Sequence, residues 1–293
     1  MLSFSMTEEP AMNITRIDNK CSRCMLCVRD CVSGVWRLVD GAPEPVEPSL
    51  CNLCSHCVAV CPRSAIIHDG LDPDQVSALD KKKVSAESYR ETVLGRRSVR
   101  NFRDREVPRN VIERIIDLAR YSPTASNEQS VGYIVVTDRE LIRKTANKIY
   151  SFALRLYEKT RKGPIGAIAR ATGLSENRYL KVMEYIKGQV PAGRDFILHN
   201  APALILVHTP KRGSFMCDNC SLAAANIINY AHSLGLGTCI IGFLTIALRF
   251  SKSLRSSLGV PAGRRVHACI VLGYPAYPHP KTVSRKEPDV KWL

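Results

Sequence analysis

Nowhere in the 293 residues does an apolar run approach the roughly 20 residues of a membrane-spanning helix, so no bilayer segment is expected. The opening MLSFSMTEEPAMN has no basic stretch followed by an apolar one and does not read as a secretory signal. Nucleic-acid signatures are missing as well. A net charge of +15 and a pI near 9.4 invite a polyanionic partner. Yet no helix-turn-helix pattern, aromatic-studded sheet or basic tail accompanies that charge, so no nucleic-acid partner is expected. Gly235-x-Gly237 follows a helical pattern instead of closing a strand and lacks a third glycine, which excludes a Rossmann dinucleotide turn. Apart from one pair of cysteine runs there is no internal repeat. What remains is an ordinary globular composition, 45% hydrophobic and 24% charged, in a chain long enough to favour two domains.

The cysteine runs carry the first positive signal. The chain reads Cys21-x2-Cys24-x2-Cys27-x3-Cys31 and repeats the spacing as Cys51-x2-Cys54-x2-Cys57-x3-Cys61, followed by Pro62. Zinc sites generally pair two CxxC-like units across a longer arm and stop at four ligands. The x2-x2-x3 run instead supplies three thiolates to one [4Fe–4S] cluster from a tight loop and sends its fourth to the other cluster. On that pattern one cluster takes Cys21, Cys24, Cys27 and Cys61, and the second takes Cys51, Cys54, Cys57 and Cys31. Over about fifty residues this stretch resembles the bacterial two-cluster ferredoxin, with one departure: Val32 stands where a second proline is usual. Cysteines placed for metal instead of pairing fit a reducing compartment, here the cytoplasm of an anaerobic bacterium or archaeon.

Charge divides unevenly. Residues 1–70 carry a balance of −2 and the remaining 223 carry +17. Two oxidised cubanes at about −2 each bring the first portion to roughly −6. Such opposition can dock the two halves or steer an acidic electron carrier onto the basic one. The organisation expected is a ferredoxin-like domain over 1–75, a linker and helix entry over 76–88, and a second domain over 89–293. In the first, residues 35–39 before Asp40-Gly41 read as a strand entering a hairpin, and residues 65–68 before Asp69-Gly70 as a second strand and turn. Residues 71–84 are polar and read as linker. Helices are expected from Ser85 to Gly95, over VIERIIDLAR and over residues 139–160. In the last, Ile142, Ala146, Ile149, Ala153 and Leu156 lie opposite Arg143, Lys144, Lys148, Arg155 and Lys159. A further helix, capped by Asp218, runs to Leu234 and stops at Gly235. Strands are expected at 133–136, 203–207 and 268–273, which together with the helices argues an α+β or α/β layering. Residues 161–195, interrupted by prolines, read as an excursion covering a cleft.

Arg96-Arg97-Ser98-Val99-Arg100 puts three guanidiniums and a hydroxyl within five residues, either an anion clamp or a solvated basic turn. The order of later motifs bears on the choice. A helix then RRSVRNF, a helix then SPTASNEQS and a strand, a helix then GLGTCIIG, and finally LGYP with Arg285-Lys286 resemble the FMN-dependent nitroreductase family across roughly residues 85–293. The resemblance implies an α+β, homodimeric domain with FMN at the subunit interface. It implies that Arg96, Arg97, Ser98 and Arg100 contact the flavin phosphate, ribityl chain and ring edge. Pro123, Thr124, Ala125 and Asn127, with Gln129, would reach the flavin from the partner subunit. Ile240, Ile241 and Gly242 would run beside the ring, and Arg285 near the phosphate. Ser130-Val131 stands where the family often has Pro-Trp, so the ring's surroundings differ here.

Clusters carry single electrons and a flavin dispenses pairs, so the expected activity is a relay. It runs from an external ferredoxin or similar low-potential donor through the clusters to FMN, which reduces a small organic acceptor. The alternatives are NAD(P)H feeding FMN with electrons leaving to ferredoxin, or a non-catalytic electron-transfer subunit. The resemblance supplies no obligatory side-chain catalyst, and none is named. Cys217-x2-Cys220, with His208 nearby, allows a metal or redox pair, but a thiol in the small-residue helix SLAAAN is expected to pack like alanine. Cys239 and Cys269 are expected to do the same. Tyr179, Tyr185 and His199 are expected in packing or surface roles before substrate contact.

Overall fold

Short strands and one-turn helices, each set by a local turn, make up the N-terminal part. The computed structural model describes residues 12–161, 167, 184–187 and 194–293. Tyr179, the side chains of Leu156 and Lys159, and most of the stretch 161–195 lie outside the described residues. By its internal contacts the chain divides into two units, Met1–Val84 with Ser126–Glu128, and Ser85–Ala125 with Gln129–Leu293.

In the first unit β1 (Ile14–Arg16) pairs antiparallel with β4 (Ile66–His68), Ile14 facing His68 in register. A hairpin joins β2 (Trp36–Val39) to β3 (Ala42–Pro45). Its Asp40 and Gly41 both have positive φ, 48° and 77°, the left-handed pair a two-residue hairpin of this twist requires. One-turn helices α1 (Leu26–Asp30) and α2 (His56–Val60) follow Cys24 and Cys54. Among the described residues the buried cluster is small, Ile14, Cys27, Val35 and Trp36, with Ala42 and Ala65 buried beside the strands. Residues 71–84 hold two single 3-10 turns, Pro73–Gln75 and Lys81–Lys83, capped by the side chains of Asp72 and Asp80.

The second unit is a four-stranded antiparallel sheet between helices, an α+β architecture. Strands β5 (Gly132–Val136), β6 (Ala203–Pro210), β7 (Gly237–Ile240) and β8 (Arg264–Gly273) lie in the order β5-β6-β8-β7. Among the described residues, helices α3 (Ala86–Gly95), α4 (Arg109–Ala119), α5 (Arg139–Arg161), α6 (Met216–Ser233), α7 (Gly242–Phe250) and α8 (Lys252–Ser257) accompany the sheet. Strand alternation separates two apolar layers. Ala203, Ile205 and Val207 pack with Ile112, Ile115 and Ala223 of α4 and α6, whereas Leu204 and Leu206 pack with Ile142, Ile149, Leu244 and Leu248 of α5 and α7. A bulge between Val207 and His208 opposes an extra residue, His267, on β8. That slip turns Val266 to the same face as Cys269 and Val271, where it meets Leu254 and Leu258.

Two helix ends show local chemistry at work, and the start of α6 departs from it. Ser85 caps α3 by accepting from the Ser88 N–H at 3.2 Å. Gly235, at φ 77°, ends α6 in a Schellman arrangement, the Leu236 N–H reaching the Ala231 carbonyl at 2.9 Å. Asp218 is not the cap of α6: the helix starts at Met216, behind Phe215 at φ 59°. Buried Met216 carries the start nearly a turn earlier, leaving Asp218 in the first turn, where its charge suits the helix dipole. Among the described residues no helix is long and apolar enough to cross a membrane.

Candidate functional site

Each cysteine loop curls the same way. In the first, Arg23 and Met25 have φ of 52° and 60°; in the second, Leu53 and Ser55 at the same offsets have 58° and 66°. Four left-handed residues that are not glycine form a strained pattern, of the kind that turns backbone N–H groups inward toward an anion. The Arg23 and Leu53 N–H groups approach Cys21 Sγ and Cys51 Sγ at 3.4 Å, and the Ala65 N–H approaches Cys61 Sγ at 3.2 Å. The turns after the runs also match. Gly34 N–H donates to the Cys31 carbonyl and Ser64 N–H to the Cys61 carbonyl, both at 3.3 Å, with φ of 74° and 46°. Val32, exposed in the proline's usual place, leaves that turn closed.

Two cavities result. One is lined by Cys21, Cys24, Cys27 and Cys61, with Arg16 and Trp36. The other is lined by Cys31, Cys51, Cys54 and Cys57, with His56, His68 and Trp36. Each therefore collects three cysteines of one run and the last of the other. Among the described residues no three His, Cys, Asp or Glu side chains converge on a point that holds a single ion; the sulfurs ring a space instead. Trp36, 2% exposed, lines both cavities, and its Nε1–H finds no acceptor at full hydrogen-bond geometry, the Cys57 sulfur being the group it approaches. An indole N–H turned to sulfur in a four-cysteine cavity suits a sulfide-bearing cluster. Burial pushes the Cys27 thiol up to about 11 and raises Cys57, so metal binding there releases protons. Cys24 moves the other way, its sulfur receiving the Leu26 N–H.

In the second unit the segment after α3 lies along the free edge of β7. Ser98 bridges Thr238 in parallel, and the Val99 N–H donates to the Thr238 carbonyl at 2.9 Å. A Cβ on Gly237 would stand 2.6 Å from the Val99 side chain, so glycine there allows the approach. Arg96 to Arg100 and Ile240 to Gly242 thus share one sheet edge. Ile240 is half exposed, Ile241 is buried with its N–H on the Cys269 carbonyl at 2.7 Å, and a Cβ on Gly242 would meet open space. Arg97 is tied inward: Nη1 donates to the Leu94 and Arg96 carbonyls and Nη2 to the Lys281 carbonyl at 2.8 Å. None of the ion pairs among the described residues involves Arg96, Arg97 or Arg100. Their charge is felt locally. Burial and then Arg96 and Arg97 lower the basicity of His232, and His199 is lowered by burial with Arg100 contributing. Arg285 is exposed, donating to the Ser284 carbonyl, four residues beyond the point where Arg97 holds the tail.

The other predicted segment sits elsewhere. Ala125 N–H donates to Asn219 Oδ1 at 3.1 Å, near the start of α6, and Gln129 N–H donates to Thr124 Oγ1 at 3.0 Å. Ser122, just before Pro123, accepts from Asn226 Nδ2. Ser126, Asn127 and Gln129 all have left-handed φ. The arginine segment begins at the opposite end of α6, where a Cβ on Gly95 would be 2.9 Å from His232 Nε2. Thirteen residues separate Asn219 from His232, ~20 Å along a helix.

Residues 93–274 match the sequence profile of the nitroreductase family. The chain belongs to the nitroreductase family. Residues 20–66, ahead of the nitroreductase domain, match the profile of the 4Fe-4S dicluster domain. A protein of Methanothermobacter thermautotrophicus called "putative NADH dehydrogenase/NAD(P)H nitroreductase" is 29% identical over 211 residues, 71% of this chain and 87% of that one. One of the same name from Archaeoglobus fulgidus is 30% identical over 62% of this chain and 83% of its own. An FMN-bound nitroreductase of Bacteroides fragilis shares the fold at TM-score 0.52 and 20% identity, over 70% of this chain and 98% of that one.

Within the nitroreductase-family domain, Cys220 and Cys269 are core residues whose thiols burial pushes up to about 12, and Cys239 is buried and raised likewise. Cys217 is exposed. His208 receives the Arg264 Nε–H on Nδ1 at 2.6 Å, so that nitrogen is engaged. Tyr185 stacks edge-on against Phe196, centroids 5.9 Å apart. His199 belongs to a turn organised by Asp195, whose carboxylate accepts from Ile197, Leu198 and Asn200. Sequence reasoning missed Trp36, Arg16 and His68 at the cavities and Gly237 under the arginine segment. Ile66-Ile67-His68 carries no polar alternation that marks His68 as inward; its burial appears only once β4 pairs with β1.

Proposed function

We propose that this chain is an FMN- and iron–sulfur-dependent oxidoreductase in which electrons from a low-potential, ferredoxin-like donor reach FMN by way of two [4Fe–4S] clusters and leave in pairs to a small organic acceptor. The observation that carries this reading is the pairing, in one chain, of two four-cysteine cavities with an arginine-lined sheet edge. The thiolates fit cubane clusters in number, in grouping and in the N–H donors around them. The sheet edge fits a flavin phosphate: Arg96 and Arg100 have no carboxylate partner among the ion pairs described, and Gly242 leaves space beside Ile240 and Ile241. Arg97 serves by holding the residue-281 segment against Arg96.

The length of α6 supports a homodimer. The arginine segment starts beside one end of that helix and Ala125 is held at the other, the two anchors ~20 Å apart along its axis, which favours a flavin reached by the second segment from another copy. An acidic donor suits the basic unit, where Lys211, Arg249 and Arg265 line a cleft and make none of the ion pairs among the described residues.

Anaerobically purified protein should hold about eight iron and one FMN per chain. Reduced ferredoxin should then bleach the flavin, and Cys24→Ser with Cys54→Ser should abolish the bleaching while FMN stays bound. Bleaching that survives cluster loss sinks the relay. A second reading is favoured by the names of the two archaeal relatives: NAD(P)H reduces the flavin and electrons leave to ferredoxin. Rapid NAD(P)H oxidation coupled to ferredoxin reduction would select it.

A further inference from the structure

The two cysteine loops share spacing and backbone, yet one side chain outside them sets the second cavity apart. His68 ends β4, is 7% exposed, and brings Nε2 to 3.3 Å from Cys51 Sγ. Across the ring, the Gly70 N–H donates to Nδ1 at 3.2 Å. A ring nitrogen that accepts carries no proton, so the neutral imidazole keeps its proton on Nε2, toward the sulfur.

The seat of this ring is built for it. A Cβ on Gly70 would stand 2.7 Å from Leu53 Cδ2 and 3.2 Å from His68 Cε1, so glycine is what lets the backbone come close. The preceding Asp69 is clamped to Asn13: its carboxylate accepts from the Asn13 N–H at 2.9 Å and its own N–H donates to the Asn13 carbonyl at 3.1 Å. The first cavity also has a side-chain nitrogen donor, Arg16. Its guanidinium donates to Asp18, Glu44 and the Pro43 carbonyl instead of to sulfur.

We infer that His68 donates an Nε2–H···S hydrogen bond to Cys51 and thereby raises the reduction potential of the cluster held by Cys31, Cys51, Cys54 and Cys57, and of that cluster alone. This rests on reading the cavities as [4Fe–4S] sites. One-electron reduction makes the sulfurs more negative, and an N–H donor stabilises that form more than the oxidised one. His68 is a positioning residue that gives two near-duplicate sites unequal hold on an electron.

The test uses the full chain, purified and reconstituted without oxygen, as wild type, His68→Leu and His68→Gln. Iron is counted and the clusters are titrated with dithionite under EPR. With about eight iron per chain throughout, His68→Leu should lower one midpoint and leave the other in place. His68→Gln, whose side-chain N–H replaces the donor, should stay nearer to wild type. Two unmoved midpoints, or two that fall equally, overturn the inference. If His68→Leu loses iron, the chain that keeps His68 decides. Labelled with 15N-histidine and carrying His56→Gln, it should show by ENDOR a histidine nitrogen and an exchangeable proton coupled to one cluster only, and absence of that coupling overturns the inference. A wild-type chain that takes up no iron defeats the cluster reading itself.

Discussion

Among the described residues, the N-terminal unit gathers four buried apolar side chains into one cluster, whereas the C-terminal unit builds apolar layers of eighteen and sixteen buried residues on the two faces of its sheet. A core of four falls far short of offsetting the chain entropy of a unit this size, roughly 1–2 kcal/mol per residue for the backbone alone. Small domains in that position rely on metal or disulfide cross-links. Here eight cysteines stand around two cavities where a larger protein would have leucines. The C-terminal unit has no such need, since each buried leucine or isoleucine contributes about 1.5–3 kcal/mol. One chain therefore joins a unit whose folding is linked to metal with one whose folding is linked to hydrophobic burial.

The largest effect that can break this contrast is removal of iron. With Cys24→Ser and Cys54→Ser, hydrogen exchange read peptide by peptide should show residues 14–68 exchanging as unfolded chain while β6 and β8 stay protected. Protection of the first unit without iron would end the comparison. Next, Ile205→Ala, which empties a fully buried site between β6 and α6, should cost about 2–5 kcal/mol in urea unfolding of the second unit and leave cluster absorbance untouched.

Slightly smaller is a pH effect confined to the second unit. Burial, with Arg264 adding to it, lowers His208 to about 4 from its ordinary 6.5. Because the unfolded chain binds that proton first, the stability from the neutral ring is complete above pH 6.5. It is lost as pH falls toward 4, by about 3 kcal/mol at most. His208→Gln, which keeps an acceptor for Arg264, should flatten the dependence of the unfolding midpoint between pH 7 and pH 4. Smallest is Val32→Pro. The turn from Cys31 is closed by the Gly34 N–H, and Pro62 occupies the matching place in the second run. The substitution should stabilise the first unit by roughly 0.4–1 kcal/mol through a less mobile unfolded chain, seen as a higher melting temperature of the iron-loaded form.

What was legible in the sequence was local. Asp40-Gly41 announces its hairpin and Gly235 the end of α6 because each answers a backbone need within a few residues. The family order was legible because four motifs recur along one line. The start of α6 was not, since Asp218 looks like a cap until the burial of Met216 decides the matter. Nor was the bulge, because β6 and β8 each alternate normally and His267 becomes the extra residue only once they pair. At the sites, x2-x2 spacing groups cysteines because three of each four are neighbours in sequence. Trp36 and His68 reach the cavities through strand pairing, His68 against Ile14 across 54 residues. Arg97 reads as an anion ligand in a cluster of arginines, yet its Lys281 partner is 184 residues away and invisible to any local pattern.

The span of α6 has a genetic consequence. Under the homodimer proposed, a chain with Arg100→Ala and a chain with Thr124→Val each spoil every flavin position when made alone. Expressed together, the mixed pair concentrates both lesions at one position and leaves the other intact. Two inactive alleles should then complement each other, restoring flavin at one position of every mixed pair.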